Sequence, residues 1–507
     1  MKVFNTTQIT PQSLRSQTEK DWVYNGLDCA ITAEVLGVLL PQLDPVTSAT
    51  YDFSRSLQAP VLDMRLRGVK IDVWKKSAVL DTLQDRLDHL EENLERIVRE
   101  GIGFFGFNWR SNIHLRELFY DRLRIPVIRR QGRPTVNRDA LERLEAYRIA
   151  RPIIRHLTAM RDLGKKLSVL QTEIDPDGRM RTSYNIGGTT TGRLSSSLSE
   201  FGTGTNLQNI EESLREIFIA DREMKMAYVD AEQGESRVVG AIEGNLFGSW
   251  DYLDACEGGD LHTSVARLVW PDLDWPGDPA GDRKLAETPY YRHYDRRFMC
   301  KKIGHGTNYA GRPPTLSSQA KVDIGLVEQF QDDYFKAFPA HRRWHAWVER
   351  QLREHGVITT LTGRRRQFWG RRTDQAVLRE AIAYDPQGSL ADIVNQGMLQ
   401  VWRQGKVQLL MQVHDAIVVQ YPERREDEVI PRLLKHVVFP IELSNGRKFT
   451  IPYGVATGWN FGKWTEKNPD GLKSYTPNDK RHRQAETDIL HRVLRGTNSR
   501  PRVTGDL

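Results

Sequence analysis

Leu409-Leu410-Met411-Gln412-Val413-His414-Asp415-Ala416-Ile417-Val418-Val419 is a pair of apolar runs split by a two-residue polar break. Short apolar runs rich in Val, Ile and Leu around a polar dipeptide predict a β-hairpin, here with Asp415 at its tip. Far upstream, Met226-Ala227-Tyr228-Val229 is closed by Asp230 and predicts a second strand ending in an acid. If these strands are neighbours in one sheet, both carboxylates leave the same edge and can hold two divalent ions roughly 4 Å apart, the arrangement used for in-line phosphoryl transfer. Taken singly, either aspartate reads more readily as a solvated loop residue.

The segment between them changes the balance. In Arg297-Phe298-Met299-Cys300-Lys301-Lys302-Ile303-Gly304-His305-Gly306-Thr307-Asn308-Tyr309, the residues Arg297, Lys301, His305 and Tyr309 follow at steps of four. On an α-helix they stack along one slowly turning face. Such a face offers two cations to a triphosphate and two rings to a base. A basic face at this spacing is also what a plain solvated helix shows.

The order of these elements resembles the family A DNA polymerases, the group of bacterial DNA polymerase I and many phage replicative enzymes. Asp230-Ala231-Glu232-Gln233-Gly234-Glu235-Ser236-Arg237 resembles the family's first palm motif, and Arg297 to Tyr309 its fingers helix, Arg-x3-Lys-x3-Phe-Gly-x2-Tyr-Gly. Gln412-Val413-His414-Asp415 resembles the second palm motif. Thr191-Gly192-Arg193-Leu194-Ser195-Ser196, followed by Asn206-Leu207-Gln208-Asn209-Ile210, resembles the primer-template contact motif. The similarity runs from about Leu57 to Trp464. It implies an α+β right-hand fold, with an antiparallel palm sheet, helical fingers and a helical thumb.

Composition agrees without demanding this. The 507 residues are 39% hydrophobic, enough for several cores, and Lys plus Arg exceed Asp plus Glu by 73 to 66. That excess leans toward a polyanionic partner, whose phosphates supply sequence-independent affinity. Cys29, Cys256 and Cys300 are widely spaced, which argues against a zinc cluster or a disulfide framework. The chain reads as having no apolar stretch of about 20 residues, hence as a cytoplasmic protein with no membrane partner.

The expected organisation follows the chain. Tyr24 and Asp28, within Tyr24-Asn25-Gly26-Leu27-Asp28, resemble the last motif of a 3′-to-5′ proofreading exonuclease. Residues 1–50 therefore read as a truncated exonuclease tail without its own proofreading activity, or as a short amphipathic docking helix. Residues 51–180 read as the thumb and a connecting segment. There, Leu80, Leu83, Leu87, Leu90, Leu94 and Ile97 recur at three- and four-residue steps, predicting a long amphipathic helix. Arg161, Lys165 and Lys166 in the next helical stretch suit phosphate contacts. Palm residues are expected over 181–237 and 395–465, and fingers over 238–394. The Pro-, Gly- and Trp-rich stretch from 269 to 296 reads as a long surface loop. Residues 466–507 read as a basic polar tail, with Lys480-Arg481-His482-Arg483 and an amphipathic stretch near Ile489 to Leu494. A compact chain with a truncated opening hints at a phage genome.

The resemblance also implies roles. Asp230, Asp415 and the Ala231 carbonyl would hold two Mg2+ ions, with Mn2+ able to substitute. Arg297, Lys301 and His262 would bind the triphosphate, with Lys301 placed to protonate departing pyrophosphate. Glu235 matches a steric gate against a ribose 2′ hydroxyl, so deoxynucleoside triphosphates are the expected substrate. Tyr309 would stack at the insertion site, with Gln233 and His305 also facing the nucleotide. Arg193, Asn206, Gln208, Asn209, Arg379, Gln387, Gln412 and His414 would touch primer-template DNA, the first and sixth through the minor groove. A separate exonuclease or replisome subunit is a further partner that this reading allows.

Departures from the family pattern are Ala416 for the Glu after His-Asp, His305 for Phe or Tyr, Ala231 for Tyr, Ala310 for Gly and Ala383 for a common Asn. They bear on substrate discrimination and rate more than on reaction type. Two alternatives stay open: a single-subunit RNA polymerase, disfavoured by Glu235, and a non-catalytic primer-template binder, disfavoured by the retention of Asp230, Asp415 and Lys301.

Overall fold

The apolar runs of the hairpin fold as strands Gln408–Val413 and Ala416–Pro422, with His414-Asp415 as the connecting tip. The computed structural model describes residues 16–292 and 294–476. On its other edge, strand Ala416–Pro422 pairs with Met224–Ala231, and Ala416 lies opposite Asp230. Strands Tyr453–Gly458 and Lys473–Ser474 complete a five-stranded sheet in which every pairing is antiparallel. Both faces of the sheet are covered, which explains why its strands read as unbroken apolar runs rather than as alternation. Ala227, Val229, Ile417 and Val419 point to one core, with Ile393 and Val394 of helix Gln375–Gln404. Met226, Met411, Val413 and Val418 point to another, with Leu207, Ile210 and Phe218.

Helix Val73–Ile102 is the long amphipathic helix the leucine spacing predicts. Asp72 caps its first turn through the Lys75 N–H at 3.0 Å, and Gly103 ends it in the left-handed conformation at φ 71°. Leu87, Leu94 and Val98 are buried against Ile153, Leu157 and Met160 of helix Arg151–Leu170, forming a core separate from that of the sheet.

Four expectations are corrected. The 269–296 stretch is not a plain surface loop: Asp278 caps a helix over Pro279–Ala286, and a hairpin pairs Pro289–Tyr291 with Tyr294–Asp295. Pro at the first helical position supplies a preset φ, and Trp270 and Trp275 bury against the main core. The sheet continues past residue 465, because Lys473–Ser474 forms its outer strand; residues 477–507, including both tail motifs, lie outside the described residues. The segment expected to form the fingers helix is not one uniform α-helix, since a π-helical turn over Cys300–Gly304 joins Arg296–Met299 to His305–Asn308. Such turns widen the helix locally and recur at functional sites. Finally, helix Gln17–Leu39 buries no residue, and Gln17–Gln42 is long and apolar enough, by length and composition, to cross a membrane. From Val23 to Leu40 its only charged residues are Asp28 and Glu34. Tyr24 and Asp28 are both exposed on it, and no exonuclease-like fold surrounds them among the described residues.

Candidate active site

The register of the sheet brings Asp230 and Asp415 to one edge. Asp230 sits opposite Ala416, and the Ala231 N–H donates to the Asp415 carbonyl at 3.2 Å. His414 takes φ 53°, a left-handed conformation that a non-glycine residue adopts only where the surroundings impose it. This turn sets the direction of Asp415. Burial, then the charge of Asp415, pushes the Asp230 carboxyl up to about 6, while the Tyr228 hydroxyl at 3.5 Å opposes that shift. Burial likewise raises Asp415, opposed by the Arg193 guanidinium. Two half-buried carboxylates that repel one another form a site short of positive charge, and carboxylate and carbonyl oxygens suit a hard divalent ion. The donor set is small: among the described residues no group of three or more His, Cys, Asp or Glu side chains is assembled for a metal.

Beside this pair, Glu235 stands in the first turn of helix Gly234–Phe247. The Tyr309 hydroxyl donates to Glu235 Oε2, and Arg193 Nη2 donates to Glu235 Oε1 at 2.7 Å and to Asp415 Oδ1 at 3.1 Å. One guanidinium therefore links the sheet edge to the helix that carries Glu235. Gly192 makes this possible: its φ is 78°, and a Cβ there would lie 2.6 Å from the Arg364 guanidinium carbon. Asn395 Nδ2 holds the Gly192 carbonyl at 3.0 Å, and Arg364 is itself tied to Asp392 at 2.6 Å. Gln233 caps the helix at φ 55°, and its side-chain oxygen is buried with no hydrogen-bond partner.

The Arg297–Tyr309 segment approaches the pair at its Tyr309 end, through Glu235. Arg297 forms a two-pronged pair with Asp260, Nε and Nη2 donating at 2.8 and 2.9 Å. Burial would raise the Asp260 carboxyl, but Arg297 and the Thr263 hydroxyl hold it at about 2. His262 is pressed down to about 4 by burial and by the positive charges of Arg297, Lys301 and His305, with Asp260 opposing. These groups are therefore close enough to feel one another. Lys301 and His305 are exposed, and the His305 ring meets Tyr309 edge-on at 5.1 Å between centroids.

The residues expected on DNA divide. Asn209 and His414 are exposed, and Arg379 and Gln387 are half-buried on helix Gln375–Gln404. Asn206 instead caps the turn at Leu207 through the Gln208 N–H at 3.0 Å. Gln208 and Gln412 are buried, only 8% and 1% exposed; they bond each other at 3.0 Å, and Gln208 also holds the Leu194 carbonyl. Their position steadies the Arg193 loop against the hairpin. Sequence reasoning missed Asp260 as the partner of Arg297, and Tyr228 and Tyr453 beside the paired acids. The Tyr228 alternation with Asp230 was a visible signal, since residues two apart share a strand face; the others depend on tertiary approach.

A profile of DNA polymerase family A matches residues 77–466, and the chain belongs to that family. It is 29% identical over 453 residues to a thermostable DNA polymerase I of Thermus filiformis, covering 83% of this chain and 49% of the relative. Against the thermostable DNA polymerase I of Thermus aquaticus it is 28% identical, covering 80% and 48%. The chain thus spans about half the length of the curated relatives it matches. Its fold is similar to the polymerase domain of Pol1 from M. smegmatis, solved in complex with DNA primer-template and dNTP. That likeness has a TM-score of 0.63 at 24% identity, over 80% of this chain and 69% of the other.

Proposed function

We propose that the chain is a template-directed DNA polymerase that adds deoxynucleotides to a primer 3′ end, using divalent metal. The observation that carries this is the convergence of Asp230 and Asp415 at one sheet edge, linked through Arg193 to Glu235 and so to Tyr309 at the end of the segment that carries Arg297 and Lys301. A bound pair of Mg2+ or Mn2+ ions would activate the primer hydroxyl and neutralise the triphosphate. Asp230, Asp415 and the Ala231 carbonyl are the oxygens that would hold them. Arg193 occupies part of that negative field in this conformation, donating to both Asp415 and Glu235, and would exchange Asp415 for the minor groove when DNA enters. Lys301 donates a proton toward departing pyrophosphate, and Arg297, oriented by Asp260, fixes the outer phosphates. His262, held neutral by its burial, acts as a hydrogen-bond partner rather than a charge. Glu235, pinned from two sides, fills the space a ribose 2′ hydroxyl needs.

The domain assignment belongs to the same proposal: helices Val73–Ile102 and Arg151–Leu170 as thumb, the five-stranded sheet as palm, the helices around Tyr309 as fingers. So do Asn209, Arg379, Gln387 and His414 as DNA contacts, a separate exonuclease or replisome partner, and residence in the cytoplasm, where DNA and triphosphates meet. Primer extension with magnesium, comparing deoxy- with ribonucleotides on one template, tests the reading. Template-dependent extension with deoxynucleotides is expected; no extension, or equal use of ribonucleotides, contradicts it.

A further inference from the structure

The two residues before Tyr309, Thr307 and Asn308, fill positions that the fingers pattern leaves open, and both are buried although polar. Asn308 is 1% exposed and uses every hydrogen-bonding atom of its side chain. Its Nδ2 donates to the Tyr252 hydroxyl at 2.8 Å; its Oδ1 accepts from the Tyr334 hydroxyl at 2.8 Å and from His341 Nε2 at 2.9 Å. The backbone carbonyl of Asn308 accepts from His345 Nε2 at 2.8 Å. Thr307 Oγ1 accepts from Gln331 Nε2 at 3.0 Å, and the same nitrogen reaches the Gly311 carbonyl at 2.9 Å.

An amide oxygen can only accept, so His341 must carry its hydrogen on Nε2. Its Nδ1 then faces Glu243 Oε1 at 2.8 Å, with both side chains at most 1% exposed. That contact carries the cluster from Asn308 through His341 to Glu243, although neither of these two atoms meets hydrogen-bond geometry. Glu243 belongs to helix Gly234–Phe247, the helix that carries Glu235. Tyr252 also lies beside the Ser236 side chain of that helix. Glu235 is thus bonded to Tyr309, while Ser236, the next residue of the same helix, lies beside Tyr252, to which Asn308 donates. Burying this many polar groups has no advantage in stability over an apolar core, but the directed bonds that meet at Asn308 favour one arrangement.

We propose that the buried cluster centred on Asn308 is a positioning device that holds Tyr309 against Glu235 and so sets how strictly the site excludes a ribose. Asn308, His341 and Glu243 are positioning residues, since they reach the nucleotide only through Tyr309 and Glu235. The inference rests on the polymerase reading. Its test measures the ratio of deoxy- to ribonucleotide incorporation, by single-turnover primer extension, in Asn308→Leu, Tyr334→Phe and Val348→Ala. Val348 is buried on the same helix as His341 but outside the cluster, and reports lost packing alone. Leaving two donors and one acceptor unpaired should lower the ratio about tenfold in Asn308→Leu, and removal of one hydroxyl about threefold in Tyr334→Phe. Val348→Ala should lower the melting temperature and leave the ratio unchanged. A ratio within about twofold of the unaltered chain in folded Asn308→Leu, or in Tyr334→Phe if the former does not fold, overturns the inference, as does an equal shift in Val348→Ala. If the unaltered chain extends no primer, the polymerase reading falls first; extension with an unmoved ratio removes the inference alone.

Discussion

Replacing Glu235 with alanine removes three things at once: the bulk that the proposed function sets against the sugar, the acceptor of the Tyr309 hydroxyl, and one of the two anions bonded to Arg193. Forcing an extra group into a filled site costs about 1–3 kcal/mol, so emptying the site should favour a ribonucleotide by roughly 5- to 150-fold. The orphaned Tyr309 hydroxyl acts the other way, because a buried donor without a partner costs about 1–3 kcal/mol. That penalty falls on a deoxynucleotide in full. A ribonucleotide escapes part of it, since its 2′ hydroxyl can accept from Tyr309. Glu235→Ala should therefore lower deoxynucleotide kcat/KM about tenfold while ribonucleotide kcat/KM holds or rises, and the preference should collapse by one to two orders of magnitude. Single-nucleotide insertion under single-turnover conditions gives both constants. A preference changed by less than about twofold would show that Glu235 does not face the sugar, and would remove the argument built on its two bonds.

Other consequences are open to measurement. His305 lies edge-on to Tyr309 and exposed, so His305→Tyr should raise dideoxynucleotide incorporation by supplying a hydroxyl, and His305→Phe should lower it; equal acceptance by all three forms places the ring away from the sugar. Ala310 has φ 52°, which costs an L-residue about 1–2 kcal/mol, whereas glycine loses about 0.5–1 kcal/mol of chain entropy. Ala310→Gly should thus stabilise by about 0.5 kcal/mol in thermal melts, and a clear destabilisation would contradict the strain assignment. Asp385 is raised from its ordinary 3.8 to about 7 by burial, although the Leu361 N–H and the Ser389 hydroxyl bond it at 2.7 and 2.9 Å. The folded state holds this proton more tightly than the unfolded chain, so the stability it contributes is present below about pH 4 and fades as pH rises through about 7. The loss is on the order of 2–4 kcal/mol. Denaturant midpoints should flatten across that window in Asp385→Asn, and an unaltered slope would refute the assignment.

The elements legible in the sequence are those whose signal is local. The hairpin shows because two apolar runs flank His414-Asp415, and helix Val73–Ile102 because its leucines repeat at the helical step. The helix at Pro279–Ala286 carried a local signal as well, Asp278 before Pro279, which the high Pro and Gly content of its surroundings obscured. The π-helical turn at Cys300–Gly304 has no residue signature, since nothing in a chain of helix-compatible residues specifies one extra residue per turn. Pairs such as Gln208 with Gln412 and Arg297 with Asp260 join residues 204 and 37 positions apart, and arise only when the sheet and helices close on one another. The motif positions gave the acids of the site; the groups that orient them came from packing.

The central claim is that Asp230 and Asp415 act together as the metal-holding pair of a nucleotidyl transfer site. Single-turnover extension of a primer by Asp230→Asn and Asp415→Asn, alongside their affinity for the same duplex, tests it most directly. Asparagine preserves shape and removes charge, so loss of metal-held charge should slow nucleotide addition by at least about 10³-fold, with duplex affinity changed by less than about threefold. A slowing of under about tenfold in either variant would contradict the pair's role.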